Sequence, residues 1–227
     1  MRPIPPIRIM PERAPLPWGM VLAGGKSTRL GRDKVVEFVE GRPLLARMTA
    51  LAGQVCQNVV ISGRNPASLE EFPPEVRRLG WVPDEGPGSG PIRGITTCLR
   101  RLGGPLLALA CDLPLLDTDT LERLLEAHAH RPPHAVMTTF LQPATGYIES
   151  LVAIYEPEAL PLLESAAAAG LYKLSRAIPF ELRHHIPYAP EEAHVFFNIN
   201  YPADLAMLMR MGMTGCHHET PREACRI

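Results

Sequence analysis

Short apolar runs alternate with amphipathic segments along this chain, a pattern that few folds accommodate. Four runs in the first half are typical of buried strands: Trp18 to Ala23, Asn58 to Ser62, Leu79 to Val82 and Pro105 to Cys111. Between them apolar side chains recur at helical spacing, most clearly over Pro43 to Cys56. This repetition predicts a doubly wound α/β domain, in which a mostly parallel sheet carries helices on both faces and right-handed crossovers.

The second half of the chain is less regular but continues the same mixture. Three further apolar runs are typical of strands: Ala135 to Thr139, Leu151 to Tyr155 and Leu182 to Ile186. The Asp117/Thr118 pair is suited to cap a helix, and two more helices are predicted over Glu158 to Ala169 and Tyr201 to Met211. In sheets of this kind ligands bind beyond the carboxyl ends of the strands, so the following loops are expected to carry the chemistry.

Length and composition favour one globular domain between two less ordered ends. Of the 227 residues, 46% are hydrophobic and 21% are charged, which is close to the average for globular proteins. The proline-rich residues 1–17 are expected to form an extended arm, residues 18–211 the folded domain, and residues 212–227 a solvated tail.

Charge and cysteine usage exclude several classes of partner. With 23 Lys and Arg against 24 Asp and Glu, the net charge of −1 creates no field that would attract nucleic acid or an anionic membrane. No run approaches the ~18 apolar residues of a membrane helix and no signal peptide is recognisable, so we expect a cytoplasmic protein. The five cysteines are odd in number and irregularly spaced, which argues against structural disulfides. The tail residues Cys216, His217, His218 and Cys225 match no standard zinc pattern.

The segment LAGGKSTRLGRDK, Leu22 to Lys34, follows the first predicted strand directly. Its glycines allow a ligand to approach the backbone, and its four basic side chains add positive charge, which together predict a phosphate-binding loop. Two known phosphate-binding motifs are excluded by their glycine spacing. A Walker loop would need glycine at position 20, which is Met20, and a dinucleotide fingerprint would need glycine at positions 26 and 29, which are Lys26 and Arg29. An ordinary strand-to-helix turn with surface cations is the alternative interpretation.

The same segment resembles the opening motif of the molybdenum cofactor guanylyltransferase family, LAGG-x-S-x-R-M-G-x-D-K, within the nucleotidyltransferase superfamily. Three later stretches follow in the order expected for that family: PDEGPGSGPIRGI (Pro83 to Ile95), LALACDLPLL (Leu107 to Leu116) and FFNINYPADL (Phe196 to Leu205). The resemblance therefore extends over residues 18–211 and implies a Rossmann-like nucleotidyltransferase domain there.

The resemblance implies roles for individual residues. The guanine nucleotide would be held by the first motif and by side chains that follow neighbouring strands, namely Leu22, Ala23, Gly24, Gly25, Ser62 and Asp84. Lys34 would contact the phosphates, and Asp112 would bind the nucleotide through Mg²⁺. Arg93, Asn198 and Asn200 would lie on the acceptor side. A carboxylate at the carboxyl end of a strand, opposite a basic glycine loop, also suits a hard cation that bridges phosphates.

The implied reaction joins two anions. The terminal phosphate of molybdopterin attacks the α-phosphorus of GTP and pyrophosphate leaves, while Mg²⁺, held by Asp112, acts with Lys34 and Arg29 to stabilise the charge. The attacking phosphate is already ionised at neutral pH, so no side-chain nucleophile or general base is needed. Proteins that supply molybdopterin or accept the product are the partners expected from the family.

Several alternatives remain open at the level of the sequence. Ser62 stands where many family members have an asparagine thought to touch the base, which keeps a molybdenum cofactor cytidylyltransferase in view. Transfer to another small phosphate and a nucleotide or cofactor carrier without chemistry are further possibilities. Asp112 could instead serve as a cap or turn residue before Pro114, and Asp84 as a turn residue.

Overall fold

The structure is a computed structural model that describes residues 16–23, 38–39, 41–63, 72–86 and 89–210. Several sequence predictions lie outside these residues: most of the arm 1–17, the tail 212–227, and the loop residues Gly24, Gly25, Arg29 and Lys34.

Seven of the strands in the described ranges form one sheet in the order β5–β4–β1–β6–β8–β7–β9, and β2 pairs with β3 in a separate two-stranded ribbon. The strands are β1 Trp18–Leu22, β2 Phe38–Val39, β3 Arg42–Pro43, β4 Val59–Ser62, β5 Gly80–Val82, β6 Leu106–Ala110, β7 Met137–Gln142, β8 Tyr147–Tyr155 and β9 Arg183–Pro187. Strand β8 runs antiparallel to its neighbours β6 and β7, and the other pairs in the large sheet are parallel. The mostly parallel sheet predicted from the sequence is confirmed.

The α-helices in the described ranges are α1 Leu44–Val55, α2 Pro74–Arg77, α3 Pro91–Leu102, α4 Thr118–Ala129, α5 Leu160–Ala168, α6 Leu174–Ala177 and α7 Pro202–Arg210. Three 3₁₀ turns cover Pro157–Ala159, Phe180–Leu182 and Pro190–Phe196. The predicted cap of α4 is confirmed, since the Asp117 side chain accepts a hydrogen bond from the Thr120 backbone N–H at 2.8 Å. No helix in these described segments is long and apolar enough to cross a membrane.

Helices cover both faces of the sheet because successive strand residues point to opposite sides. In β1, Val21 packs with apolar residues of α1 and α4, while Met20 packs with those of α3 and α5. Both side chains are fully buried, and each belongs to a separate apolar cluster. The described residues therefore form the single doubly wound α/β domain that the alternating pattern predicts.

Strand order creates a crevice at one edge of this sheet. The chain moves outward from β1 to β4 and β5, then returns to place β6 on the other side of β1. Leu22 is in register with Ser62 of β4 and with Ala110 of β6, so the three strands end together. Reversal of strand order at such a point opens the crevice where α/β proteins bind ligands. The segments after Leu22, Ser62 and Ala110 thus meet at one edge.

Candidate active site

The first part of the site lies where β4 and β5 end against the start of α3. Ser62 is fully buried, and its Oγ lies 3.5 Å from Asp84 Oδ1. Gly94 of α3 packs so closely against these two residues that a side chain would not fit. A Cβ at this position would lie 2.7 Å from Ser62 Oγ and 3.3 Å from Asp84 Oδ1. The structure therefore brings two predicted nucleotide-binding side chains together, and it adds Gly94 as a residue that allows helix and strand to approach.

Asp84 is a partly buried carboxylate with a cation beside it. Burial raises the pKa of the Asp84 carboxyl, whereas the charge of Arg93 and the hydrogen bond from Ser62 lower it. The Arg93 guanidinium also donates a hydrogen bond from Nη2 to the Asp84 backbone carbonyl at 3.0 Å. Its buried Nε has no hydrogen-bond partner among the described residues.

Thr97 holds the loop that carries Asp84, a function that the sequence analysis missed. This fully buried hydroxyl accepts a hydrogen bond from the Glu85 backbone N–H at 3.0 Å and lies 2.8 Å from the Arg93 carbonyl, to which it can donate. Loop and helix are thereby fixed to each other. A threonine inside an amphipathic helix was the available signal, because such hydroxyls often bond to nearby backbone.

The thiols near the site are not suited to nucleophilic chemistry. Burial raises the pKa of Cys98, which lies close to Ser62, to about 11, and it raises the pKa of Cys56 to about 12. Cys111, just before Asp112, is also buried. Cys56 and Cys98 are free thiols, which agrees with the absence of a disulfide pattern in the spacing of the cysteines.

The second part of the site is built by the segments after β6 and before α7. The Asp112 backbone carbonyl accepts a hydrogen bond from the Ile199 N–H at 3.0 Å, which joins the two segments. Ile199 itself is fully buried in an apolar cluster with Val39, Leu44 and Leu208. A buried isoleucine between two asparagines fixes the segment and leaves Asn198 exposed.

Asn200 lies at the start of the closing helix. Its backbone N–H donates to Asp204 Oδ2 at 2.7 Å, and the Tyr201 N–H donates to the same oxygen at 2.8 Å. This carboxylate satisfies amide groups that would otherwise have no partner within α7. Asn200 is therefore held in a defined turn next to the segment that contains Asn198.

A pocket of about 300 Å³ opens beside these residues. Asp112 and Asn198 line it together with residues of β8 and of the segment that leads into α6. Lining residues that were not individually predicted from the sequence include Tyr147, Glu149, Tyr172 and Lys173. Arg93 and Asn200, which the resemblance assigned to the acceptor, are not among the lining residues; Arg93 lies beside Asp84.

Glu149 is the most buried charged residue of this pocket. The residue as a whole is 8% exposed, and Tyr188, itself buried, donates a hydrogen bond to Glu149 Oε1 at 2.6 Å. Burial raises the pKa of the Glu149 carboxyl, and the hydrogen bond from Tyr188 lowers it. The sequence pattern predicted a strand that begins at Leu151, whereas β8 begins at Tyr147. The polar pair Glu149 and Ser150 interrupts the apolar run, so the periodicity did not reveal this half of the strand.

Known proteins resemble this chain over most of its length. The family model described as the MobA-like NTP transferase domain matches residues 19–185. A molybdenum cofactor guanylyltransferase from Xanthomonas euvesicatoria is 30% identical over 90% of this chain and 97% of its own length. Another from Burkholderia vietnamiensis is 33% identical over 85% of this chain and 95% of its own length. A molybdenum cofactor biosynthesis bifunctional protein from Synechocystis is 31% identical, and this chain spans 53% of its length.

Solved structures show the same fold. The molybdopterin-guanine dinucleotide biosynthesis protein A of Archaeoglobus fulgidus superposes with a TM-score of 0.69 at 25% identity, over 86% of this chain and 98% of that one. The 2-C-methyl-D-erythritol 4-phosphate cytidylyltransferase of Thermus thermophilus has a TM-score of 0.60 at 18% identity, over 87% and 98% of the two chains. With a family model that covers most of the folded domain, and with relatives at about 30% identity along nearly their whole length, this chain belongs to the family of MobA-like NTP transferase domains.

Proposed function

We propose that this protein is a molybdenum cofactor guanylyltransferase, which transfers GMP from GTP to the terminal phosphate of molybdopterin and releases pyrophosphate. One observation carries the proposal: Asp112 follows β6 at the crevice edge and also lines the 300 Å³ pocket. A single carboxylate thus lies between the strand ends that precede the glycine loop and a cavity able to hold a second substrate. The names of the Xanthomonas and Burkholderia relatives support the same reaction.

The nucleotide is proposed to bind at the ends of β1 and β4. Backbone groups of Leu22 and Ala23 lie at the end of β1, and the Asp84 carboxylate beside Ser62 can accept hydrogen bonds from N–H groups of guanine. In the glycine loop, Gly24 and Gly25 would allow the phosphates to approach the backbone.

Lys34 and Arg29 of the same loop are proposed to stabilise the charge of the phosphates. Arg93, in the first turn of α3, adds a further positive charge. Neutralisation of this kind allows two anionic substrates to approach each other.

The residues present fit a divalent cation of the magnesium type. Asp112, which follows β6, would provide a carboxylate ligand. No cluster of three His, Cys, Asp or Glu side chains is found among the residues that the structure describes. Mg²⁺ commonly takes only one or two carboxylates and completes its shell with water and substrate phosphates. Bound at Asp112, it would supply Lewis-acid stabilisation of the phosphate charge.

Transfer itself requires positioning more than side-chain chemistry. The acceptor phosphate carries its own negative charge and is the nucleophile; its oxygen bonds to the α-phosphorus as the bond to pyrophosphate breaks. Asn198 at the pocket can donate a hydrogen bond that orients the acceptor. Proteins that deliver molybdopterin or receive the product are expected partners of this reaction.

The test is pyrophosphate release in paired reactions with GTP or CTP, each with and without molybdopterin and Mg²⁺. We expect release only with GTP, molybdopterin and the metal together. Asp112→Ala should abolish it, while Asp119→Ala, an exposed carboxylate in the first turn of α4, should leave it unchanged.

The other outcomes of these reactions each contradict the proposal. Preference for CTP would assign the sister cytidylyl reaction, and nucleotide binding without release would favour a carrier. Full activity of the Asp112→Ala variant would refute its role as metal ligand.

A further inference from the structure

The nearly buried carboxylate of Glu149 lies in the wall of the pocket, and its Oε2 is available to accept a hydrogen bond from a ligand. Tyr188 is the only side chain in the described part of the structure that donates a hydrogen bond to this carboxylate, and it does so at Oε1. The Thr139 hydroxyl donates to the Glu149 backbone carbonyl at 2.9 Å and so fixes the strand but not the side-chain charge. Removing a carboxylate from water is costly unless it is paired, which suggests that a ligand provides the missing donors.

The chemistry of the proposed acceptor supplies such donors. A pterin ring carries an N3–H and a 2-amino N–H side by side, and two parallel donors match the two oxygens of a carboxylate. Oε2 can accept one of them, and Oε1 keeps a lone pair for the other beside its bond with Tyr188. Building on the proposed function, we infer that Glu149, held by Tyr188, recognises the 2-amino-4-oxopyrimidine edge of the pterin in this pocket.

The remaining lining residues suit a flat, anionic ligand. Tyr147 from β8 and Tyr172 from the segment before α6 are 56% and 43% exposed and line the same pocket, so their rings are available to stack on a planar heterocycle. Lys173 adds a positive charge for a phosphate-bearing side chain. Glu149 would then bind the pterin ring, while the phosphate of the ligand extends toward Asp112.

The experiment compares two rings that differ at one group. Pterin and lumazine are both small fluorescent pteridines, but lumazine has a carbonyl where pterin has the 2-amino group. Binding of each to the full chain, without nucleotide, is measured by fluorescence quenching. We expect the wild type to prefer pterin at least tenfold, because the lumazine carbonyl would face the carboxylate.

Glu149→Gln tests the carboxylate with almost no change in volume. The amide oxygen can still accept from Tyr188, which directs the NH₂ group toward the ligand as a donor. The preference should therefore be lost or reversed in favour of lumazine, while the affinity for GTP stays within twofold. Glu122→Gln, an exposed glutamate of α4, is the matched control and should keep the wild-type ratio.

Several results would overturn the inference. These are equal binding of both rings by the wild type, binding of neither, or an unchanged ratio in Glu149→Gln. Displacement of pterin by guanosine, lost in Glu149→Gln, would assign the carboxylate to the base of the nucleotide instead. Because these measurements contain no turnover, pyrophosphate release can succeed where they fail, and the two proposals are tested separately.

Discussion

Replacement of Gly94 by alanine is expected to weaken GTP binding more than it lowers the stability of the fold. The added Cβ would lie 2.7 Å from Ser62 Oγ, 3.1 Å from Leu22 Cδ2 and 3.3 Å from Asp84 Oδ1. The first distance is too short for any real contact, so the Ser62 hydroxyl must rotate or α3 must move outward. Either movement separates Ser62 from Asp84 and disturbs the end of β1.

The magnitude follows from two opposed effects. Overpacking of a filled interior costs typically ~1–3 kcal/mol, whereas alanine in place of glycine within a helix gains about 1 kcal/mol. We expect a net loss of about 0–2 kcal/mol in the free energy of unfolding. Loss of one hydrogen bond between Asp84 and the base would cost roughly 1.5–3 kcal/mol of binding, which is about 10- to 150-fold in the Kd for GTP.

Gly53→Ala is the matched control. Gly53 also lies within a helix, α1, but a Cβ there would have no atom within 4 Å. This variant should be more stable by about 1 kcal/mol and should bind GTP normally. Urea unfolding and isothermal titration with GTP measure the two quantities. If Gly94→Ala matched Gly53→Ala in both, the close approach at Ser62 would have no functional meaning.

A second substitution tests the cause directly. Ser62→Ala removes the oxygen that the new Cβ would meet, so the double variant Gly94→Ala/Ser62→Ala should recover stability relative to the sum of the two single changes. Additive effects would show that α3 moves away as a unit instead.

Three further predictions concern other parts of the molecule. Lys34→Ala should lower kcat by ~10²–10³, the usual loss for one preorganised electrostatic group; a raised KM with unchanged kcat would limit Lys34 to ground-state binding. Thr97→Val should cost about 1–3 kcal/mol of stability, seen in urea unfolding, because the Glu85 N–H loses its acceptor; no change would mean that this hydrogen bond is replaced. Burial lowers the pKa of His128 to about 4, so the unfolded chain binds a proton first and stability should fall as the pH drops from 6.5 toward 4. The loss is about 2 kcal/mol by pH 5, reduced by Glu156, whose pKa burial raises; His128→Asn should flatten this slope, and an equal slope in both proteins would refute the assignment.

The fold class could be predicted because it depends on local order in the chain. The continuous apolar run of β1, which is buried on both faces, and the helical spacing along α1 can both be recognised within each segment. Strand ends were predicted to within a few residues wherever the apolar run was uninterrupted. In β8 the prediction missed the first residues, since Glu149 and Ser150 are polar and their burial depends on neighbours far along the chain.

The sequence alone determined a nucleotide-binding α/β domain with Asp112 at a strand end, since motif order and strand periodicity are properties of the linear chain. The tertiary structure decided which side chains share a site. Ser62 meets Asp84 and Gly94 only because β4, β5 and α3 converge. Glu149 meets Tyr188, 39 residues later, only because β8 runs antiparallel between β6 and β7. Contacts between distant segments depend on strand order, which the periodicity within a single segment does not encode.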